Sequence, residues 1–324
     1  MNNTILDLFS GCGGLSLGFE MSNYDVILGI DNWADALKTF EANHKNSRIL
    51  LADLQLLTPN FVQEKFNINS VDVIVGGPPC QGFSIAGKRE IDDDRNKLYK
   101  NFVSFVAHFK PKAFVMENVP NIMSMDGGEV KKQIIADFEQ LGYTVSSKVM
   151  LAADYGVPQN RKRAVFVGLL NGQSFEFPIK TLENPITSWD AISDLPNLEI
   201  ENGSKYNIEP QSDYQKLMRK NAQLLYNQQL TIHSEKTTST IALVPDGGNY
   251  KSLPTDLQKI RNVNIAWTRL NSQKPSFTID TGHRHHFHYE FNRVPTVRES
   301  ARIQSFPDNF IFLGTKTSQY KQVA

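Results

Sequence analysis

Short apolar runs separated by turn residues recur through the first half of the chain, at a spacing that predicts alternating strands and helices. Ile5-Leu6-Asp7-Leu8-Phe9 reads as a strand, Ser10-Gly11-Cys12-Gly13-Gly14 as a tight turn, and Leu15 to Glu20 as the start of a helix. A second strand, Val26 to Ile30, ends at Asp31; a helix over 34–43 follows, then a third strand, Arg48 to Leu51, just before Asp53. The β-branched run Val71, Val73, Ile74, Val75 predicts a strand covered on both faces. Ala113 to Met116, Thr144 to Met150 and Ala164 to Gly168 read as further strands, with an amphipathic helix over 131–141. This rhythm predicts an α/β fold with a doubly wound, Rossmann-like sheet. Beyond Gly172 the rhythm stops, so 173–290 is expected to form a second, smaller domain. Residues 294–310 return to a helical pattern, with Thr296 and Glu299 spaced as a capping box, so the first domain is expected to comprise 1–172 and 291–324.

Three features of composition narrow the class. No apolar run approaches the roughly 20 residues of a membrane helix, and the start Met1-Asn2-Asn3-Thr4 lacks the basic region of a signal peptide, so no membrane association is expected. Cys12 and Cys80 are the only cysteines; they exclude a disulfide framework, point to a reducing cytoplasm and lack metal-ligand spacing, so no metal is expected. The net charge is zero but sorted: residues 171–213 hold two lysines and eight acids, whereas 214–297 hold eleven Lys or Arg and five acids. Five of the seven histidines also fall in 214–297. That sorting is expected where one face meets phosphate.

The strand over 71–75 runs into Gly76-Gly77-Pro78-Pro79-Cys80. Two glycines end the strand, and two prolines fix φ and remove donors, so Cys80 is presented stiffly at a carboxyl strand end, where open α/β sheets bind ligands. A core cysteine needs no such lead-in, and Gln81, Gly82 and Ser84 continue as loop. The pattern supports a nucleophile or a close ligand contact. Glu117, at the end of the next strand, is a candidate acid. Arg161 and Arg163 are expected on one side of a strand and Lys162 on the other, apt for a phosphate or a base oxygen. Three strands ending in a glycine turn, Asp31 and Asp53 describe an adenosine pocket, with Trp33 available to lie on the base or simply to pack. No lysine accompanies them to clamp phosphate, which favours an adenosine carrying a sulfonium.

The blocks D-L-F-S-G-C-G-G-L (7–15), G-G-P-P-C-Q-G-F-S (76–84), E-N-V (117–119), Q-N-R-K-R (159–163) and R-E-S-A-R-I-Q-S-F-P (298–307) resemble, in order and spacing, the C5-cytosine DNA methyltransferases of restriction-modification systems. The resemblance implies S-adenosylmethionine as methyl donor, double-stranded DNA as substrate, a target-recognition domain over about 173–290 and a cognate restriction endonuclease as possible partner. It implies cofactor contacts at Phe9, Gly11, Gly13, Gly14, Leu15, Asp31, Asn32, Trp33, Asp53, Leu54 and Pro78. Cys80 would be the nucleophile, Glu117 the acid at cytosine N3, Asn118 its support, and Arg161 and Arg163 further catalytic groups, with Arg163 at O2. Gln81, Ser84, Arg95, Gln159 and Arg284 would meet DNA.

The family continues past a Q-x-G-N-A-V-P-P block with a helix that completes the cofactor pocket, whereas here Gln322-Val323 leads to Ala324. The expectation is low activity unless a further segment, in cis or from a second polypeptide, is added. Two rival readings are an RNA cytosine methyltransferase, disfavoured because no cysteine follows Cys80, and a silent DNA-binding partner, disfavoured by the intact Cys80, Glu117 and Arg163.

Overall fold

The computed structural model describes residues 3–79, 97–258, 267–281 and 286–324. Backbone contacts divide the chain into two compact units, one of residues 1–150 and 162–179, the other of 151–161 and 180–324.

The first unit carries β1 (Thr4–Leu8), α1 (Gly14–Glu20), β2 (Asp25–Asp31), α2 (Ala34–Asn43), β3 (Arg48–Leu51), α3 (Pro59–Phe66), β4 (Val73–Gly76), α4 (Lys97–Phe109), β5 (Ala113–Asn118), α5 (Glu129–Glu139), β6 (Thr144–Leu151) and β7 (Lys162–Leu169). The strands form one sheet in the order β3-β2-β1-β4-β5-β7-β6. Neighbours from β3 to β5 pair parallel, while β7 runs antiparallel to β5. The predicted doubly wound sheet is therefore present, and the strand order reverses between β1 and β4. Helix α4 presents Tyr99, Phe102, Phe105 and Val106 to the core, where Phe114 stacks on Phe138 with ring centroids 4.0 Å apart. Each such ring contributes roughly 1.5–3 kcal/mol by leaving water.

Register aligns the carboxyl strand ends. Leu8 faces Ile30 on one side and Gly76 on the other, and Gly76 faces Met116. The residues one step further, Asp31, Phe9, Gly77 and Glu117, therefore stand in one row along the sheet edge. This row crosses the reversal of strand order, the usual ligand crevice of such sheets.

The second unit has short elements: α6 (Ser188–Ile192), β8 (Ser204–Lys205), α7 (Asp213–Arg219), β9 (Leu224–Leu225), α8 (Glu235–Ala242), α9 (Thr255–Gln258), β10 (Thr268–Arg269), β11 (His286–Phe287), α10 (Val297–Ile303) and α11 (Lys316–Val323). The stretch 291–324, expected to rejoin the first domain, groups here with 180–290. Buried ion pairs join it to that unit, together with Ile303, which packs with Ile192 and Leu195 in one apolar cluster. Arg302, fully buried on α10, donates to Asp308 at 2.6 and 2.8 Å and to Asp194 at 2.5 Å. Arg219 reaches the other oxygen of Asp194 at 2.5 Å, and the Tyr206 hydroxyl donates to Asp308 at 2.7 Å. The Thr296–Glu299 capping box forms as predicted. Glu299 is also gripped by both terminal nitrogens of Arg293, at 2.7 and 2.8 Å. Burial pushes the Glu299 carboxyl up, but Arg293, joined by His288 and the Thr296 amide, outweighs it and the group is held down to about 2.

A buried ion network is costly to break from one side, because the remaining charges stay desolvated. Arg302→Met is expected to lower unfolding free energy by about 3–5 kcal/mol, read from urea midpoints. A loss below about 1 kcal/mol would show that Asp194 and Asp308 do not depend on it.

Candidate active site

At the end of β1 the chain enters the left-handed region twice, at Phe9 (φ 63) and Gly11 (φ 53), and again at Gly13 (φ 93). Asp31, in the next strand, fixes this turn: its two oxygens accept from the amides of Gly11 and Trp33, each at 2.8 Å. Gly13 has a second reason to be glycine, since a Cβ there would lie 2.1 Å from Nε2 of the buried His44. The expected adenosine-pocket residues Phe9, Gly11, Gly13, Asp31 and Trp33 are thus brought together, with Gly14 and Leu15 opening α1 and Asn32 exposed beside them. Asp53 caps its own turn by accepting from the Gln55 amide at 2.9 Å. The Leu54 side chain is buried in the apolar core beside it.

Sequence reasoning overlooked Asp7 and Ser10. Asp7 is 1 % exposed; its Oδ2 accepts from the Ser16 hydroxyl at 2.6 Å, while its Oδ1 and the buried Ser10 Oγ have no hydrogen-bond partner. Burial above all, with Asp31 nearby adding repulsion, pushes the Asp7 carboxyl up to about 7. The legible signal was an acid inside the apolar run Ile5 to Phe9. Burial also pushes the Cys12 thiol up to about 12, which makes it inert.

Along the same edge, Gly76 meets β1 so closely that a Cβ would lie 2.2 Å from the Leu8 carbonyl oxygen. Gly77 leaves room for Glu117, whose Oε2 would sit 3.1 Å from a Cβ at that position. Glu117 pairs with Nε of Arg163 at 2.5 Å, joining the ends of the antiparallel pair β5 and β7. Asn118 donates from Nδ2 to the Pro78 carbonyl at 2.9 Å and accepts from the Val119 amide at 2.9 Å. It thereby ties β5 to the Pro78-Pro79 segment. Cys80, Gln81, Ser84, Arg95 and Arg284 lie outside the described residues.

Arg161 does not share a strand face with Arg163, because β7 begins only at Lys162. Its guanidinium donates instead to carbonyls of Ile279 (3.4 Å) and Ala324 (3.1 Å) in the second unit. Gln159, expected against DNA, is fully buried there. Its amide nitrogen donates to Ile303 and Gln304, and its oxygen accepts from the Ile279 amide at 3.0 Å. His288 faces no polyanion either: it is buried, and burial pushes its pKa down to about 4, so the ring is neutral.

The sequence profile of the C-5 cytosine-specific DNA methylases matches residues 3–324. The chain is 39% identical over 326 residues to a Type II methyltransferase of Haemophilus parahaemolyticus, M1.HphI, covering 100% of this chain and 82% of that protein. It is 39% identical to the Type II methyltransferase M.DdeI of Desulfomicrobium norvegicum, covering 98% of this chain and 84% of that protein. A solved structure described as a DNA modification methyltransferase from a prophage in E. coli superposes with a TM-score of 0.82 at 28% identity, covering 100% of this chain and 94% of that one.

The Asp7 carboxyl makes a pH prediction. Its folded pKa of about 7 lies above the ordinary 3.8, so the stability tied to it is complete below pH 3.8 and is lost as pH rises towards 7. Three units correspond to about 4 kcal/mol at most. Without added ligand, Asp7→Asn is expected to flatten the decline between pH 4 and 7, measured by urea unfolding. Parallel pH profiles for the two proteins would refute the assignment.

Proposed function

The chain belongs to the C-5 cytosine-specific DNA methylases, and from that premise we propose that it methylates C5 of a flipped cytosine in duplex DNA, at a defined sequence, through a covalent Cys80–C6 adduct. The observation that carries this reading is the row of Glu117, Arg163 and Asn118 at the strand ends, with Asn118 holding the Pro78 carbonyl two residues before Cys80. We assign the methyl donor as S-adenosylmethionine, which supplies an electrophilic methyl group when bound. The residues present fit it: Asp31 and the glycine turn offer a ribose and adenine cradle, and the unpartnered Asp7 Oδ1 and Ser10 Oγ are buried acceptors suited to its cationic end. In this reading residues 173–290 choose the target sequence.

Cytosine C5 is too weak a nucleophile to take a methyl group unaided. The Cys80 thiolate adds to C6 while Glu117 supplies a proton or hydrogen bond at N3, which leaves C5 electron-rich enough to form the new bond. Loss of the C5 proton and departure of the thiolate restore the aromatic ring. Arg163 orients Glu117 and stands ready for O2 of the base. Stacked bases expose none of these atoms to a side chain, so the cytosine must leave the helix, at a few kcal/mol. Because relatives are Type II methyltransferases, a cognate endonuclease cutting the same sequence is the natural partner.

Transfer of labelled methyl groups to duplex DNA, to RNA and to no acceptor tests the substrate. Duplex DNA bearing 5-fluorocytosine at the target is expected to trap the wild type covalently, since fluorine blocks loss of the C5 substituent, and Cys80→Ser should abolish both trapping and methylation. Comparable methylation by Cys80→Ser would refute the nucleophile. Glu117→Gln is expected to keep DNA binding and to slow methyl transfer by about 10²–10⁴-fold, read in single-turnover kinetics. A change in cofactor affinity at an unaltered transfer rate would instead place Glu117 in the adenosine pocket.

A further inference from the structure

The second unit contains an open groove of about 720 Å³, whose lining includes Asn160, Asn271, Lys274, Phe277, Thr278 and Asp280. Its wall is rigid. The buried Arg269 donates to the carbonyls of Val244, His288, Phe291 and Ile241 and to Asn292 Oδ1, at 2.6–3.1 Å. Across the turn, Asp246 accepts from the Ser272 amide at 2.8 Å and from its hydroxyl at 2.6 Å. Gly247 (φ +69) donates its amide to the Leu270 carbonyl at 3.0 Å, and a Cβ on it would lie 2.4 Å from Nδ2 of Asn271. The Asn271 carboxamide therefore packs directly on Gly247, where only a glycine leaves it room. Its Oδ1 accepts from the Gln273 amide at 2.9 Å, which fixes the flip and leaves Nδ2 as the donor on the groove lining.

Charge decides what such a groove can take. A phosphate site gathers cations, but Arg269 spends its guanidinium on internal acceptors, and what remains is Lys274 opposed by the Asp280 carboxylate. Asp280 stands 3.7 Å from His286, which can offset it only when protonated. One cation against one anion is poor for a phosphodiester and well suited to a base edge, which offers donors and acceptors side by side. Two donors, the Asn271 amide and the Lys274 ammonium, match the N7 and O6 acceptors of guanine in the major groove, and a carboxylate matches the N4 amino group of its cytosine partner.

We propose that this groove reads a G·C pair of the target sequence, with Asn271 and Lys274 as specificity-determining donors to guanine; the inference rests on the DNA-methylating function proposed above. The test is selection of bound duplexes from a pool with randomised positions, using the full chain with S-adenosylhomocysteine present, followed by sequencing. Wild type should select a fixed guanine, and Lys274→Met and Asn271→Ala should each relax that position by about 10–100-fold, with the other positions unchanged. Lys251→Met, an exposed lysine outside the groove, should keep the wild-type selection. Lys274 is exposed, so its variant carries the test even if Asn271→Ala disturbs the turn. The proposal is overturned if wild type binds without choosing a sequence, or if Lys274→Met keeps the full preference. It is also overturned if Lys274→Met weakens all sequences uniformly and lowers the salt slope by about one, the mark of a phosphate contact. Methyl transfer is scored separately, so a wild type that selects a sequence but transfers no methyl group refutes the function and leaves the groove's reading intact.

Discussion

The first unit depends on how closely β4 approaches β1. Gly76 packs against the Leu8 carbonyl so tightly that no Cβ fits, and that contact lies where the strand order reverses. Because register is shared across the parallel strands, one tight pairing fixes the height of all their carboxyl ends. Asp31, the Phe9 turn, Gly77 and Glu117 fall into one row as a consequence. A larger residue at position 76 would press on a backbone oxygen, which cannot rotate away as a side chain can. The separation between the glycine turn and Glu117 is thus set by strand spacing, about 4.8 Å per strand, and not by loops.

Much of this was legible in the amino-acid sequence. The β-branched runs located the strands, and Pro78-Pro79 and the glycine turn marked both sides of the crevice. Helix α4 escaped the pattern reading, although Tyr99, Phe102, Phe105 and Val106 recur at helical spacing, because the sequence just before it is polar and highly charged. The reversed direction of β7 is set by a connection, which periodicity does not encode. The family blocks misled in one respect, since a shared motif does not say which way a side chain points. Gln159 and Arg161 turn into the second unit, while Arg163, two residues on, pairs with Glu117 in the first.

The second unit was hardest to read because ion pairs are buried beside its apolar cluster. Arg298, Glu299 and Arg302 have no exposed side-chain surface, yet in sequence they look like a solvated helix face. Their partners explain the burial, and one of them, Asp194, lies 108 residues from Arg302. Such a network contributes little net stability against an apolar alternative, but it penalises every arrangement that leaves one member unpaired. That penalty is a physical reason for α10 to pack with 180–290.

Charge counting along the chain has the same blind spot. Of the eleven basic residues in 214–297, Arg219 and Arg293 are offset by the carboxylates of Asp194 and Glu299, and Arg269 is held inside by carbonyls, so none of the three offers its guanidinium to an approaching phosphate. The segment's excess of six positive charges therefore overstates its attraction for DNA. An interface weak in non-specific attraction must gain its discrimination from matched donors and acceptors at base edges, which desolvate at little cost when paired and at a heavy one when mismatched. A rigid wall serves that purpose better than a flexible basic arm: a donor that cannot move cannot relax towards the wrong base. Arg269, by binding five internal acceptors, gives up its charge as a DNA contact and supplies that rigidity instead.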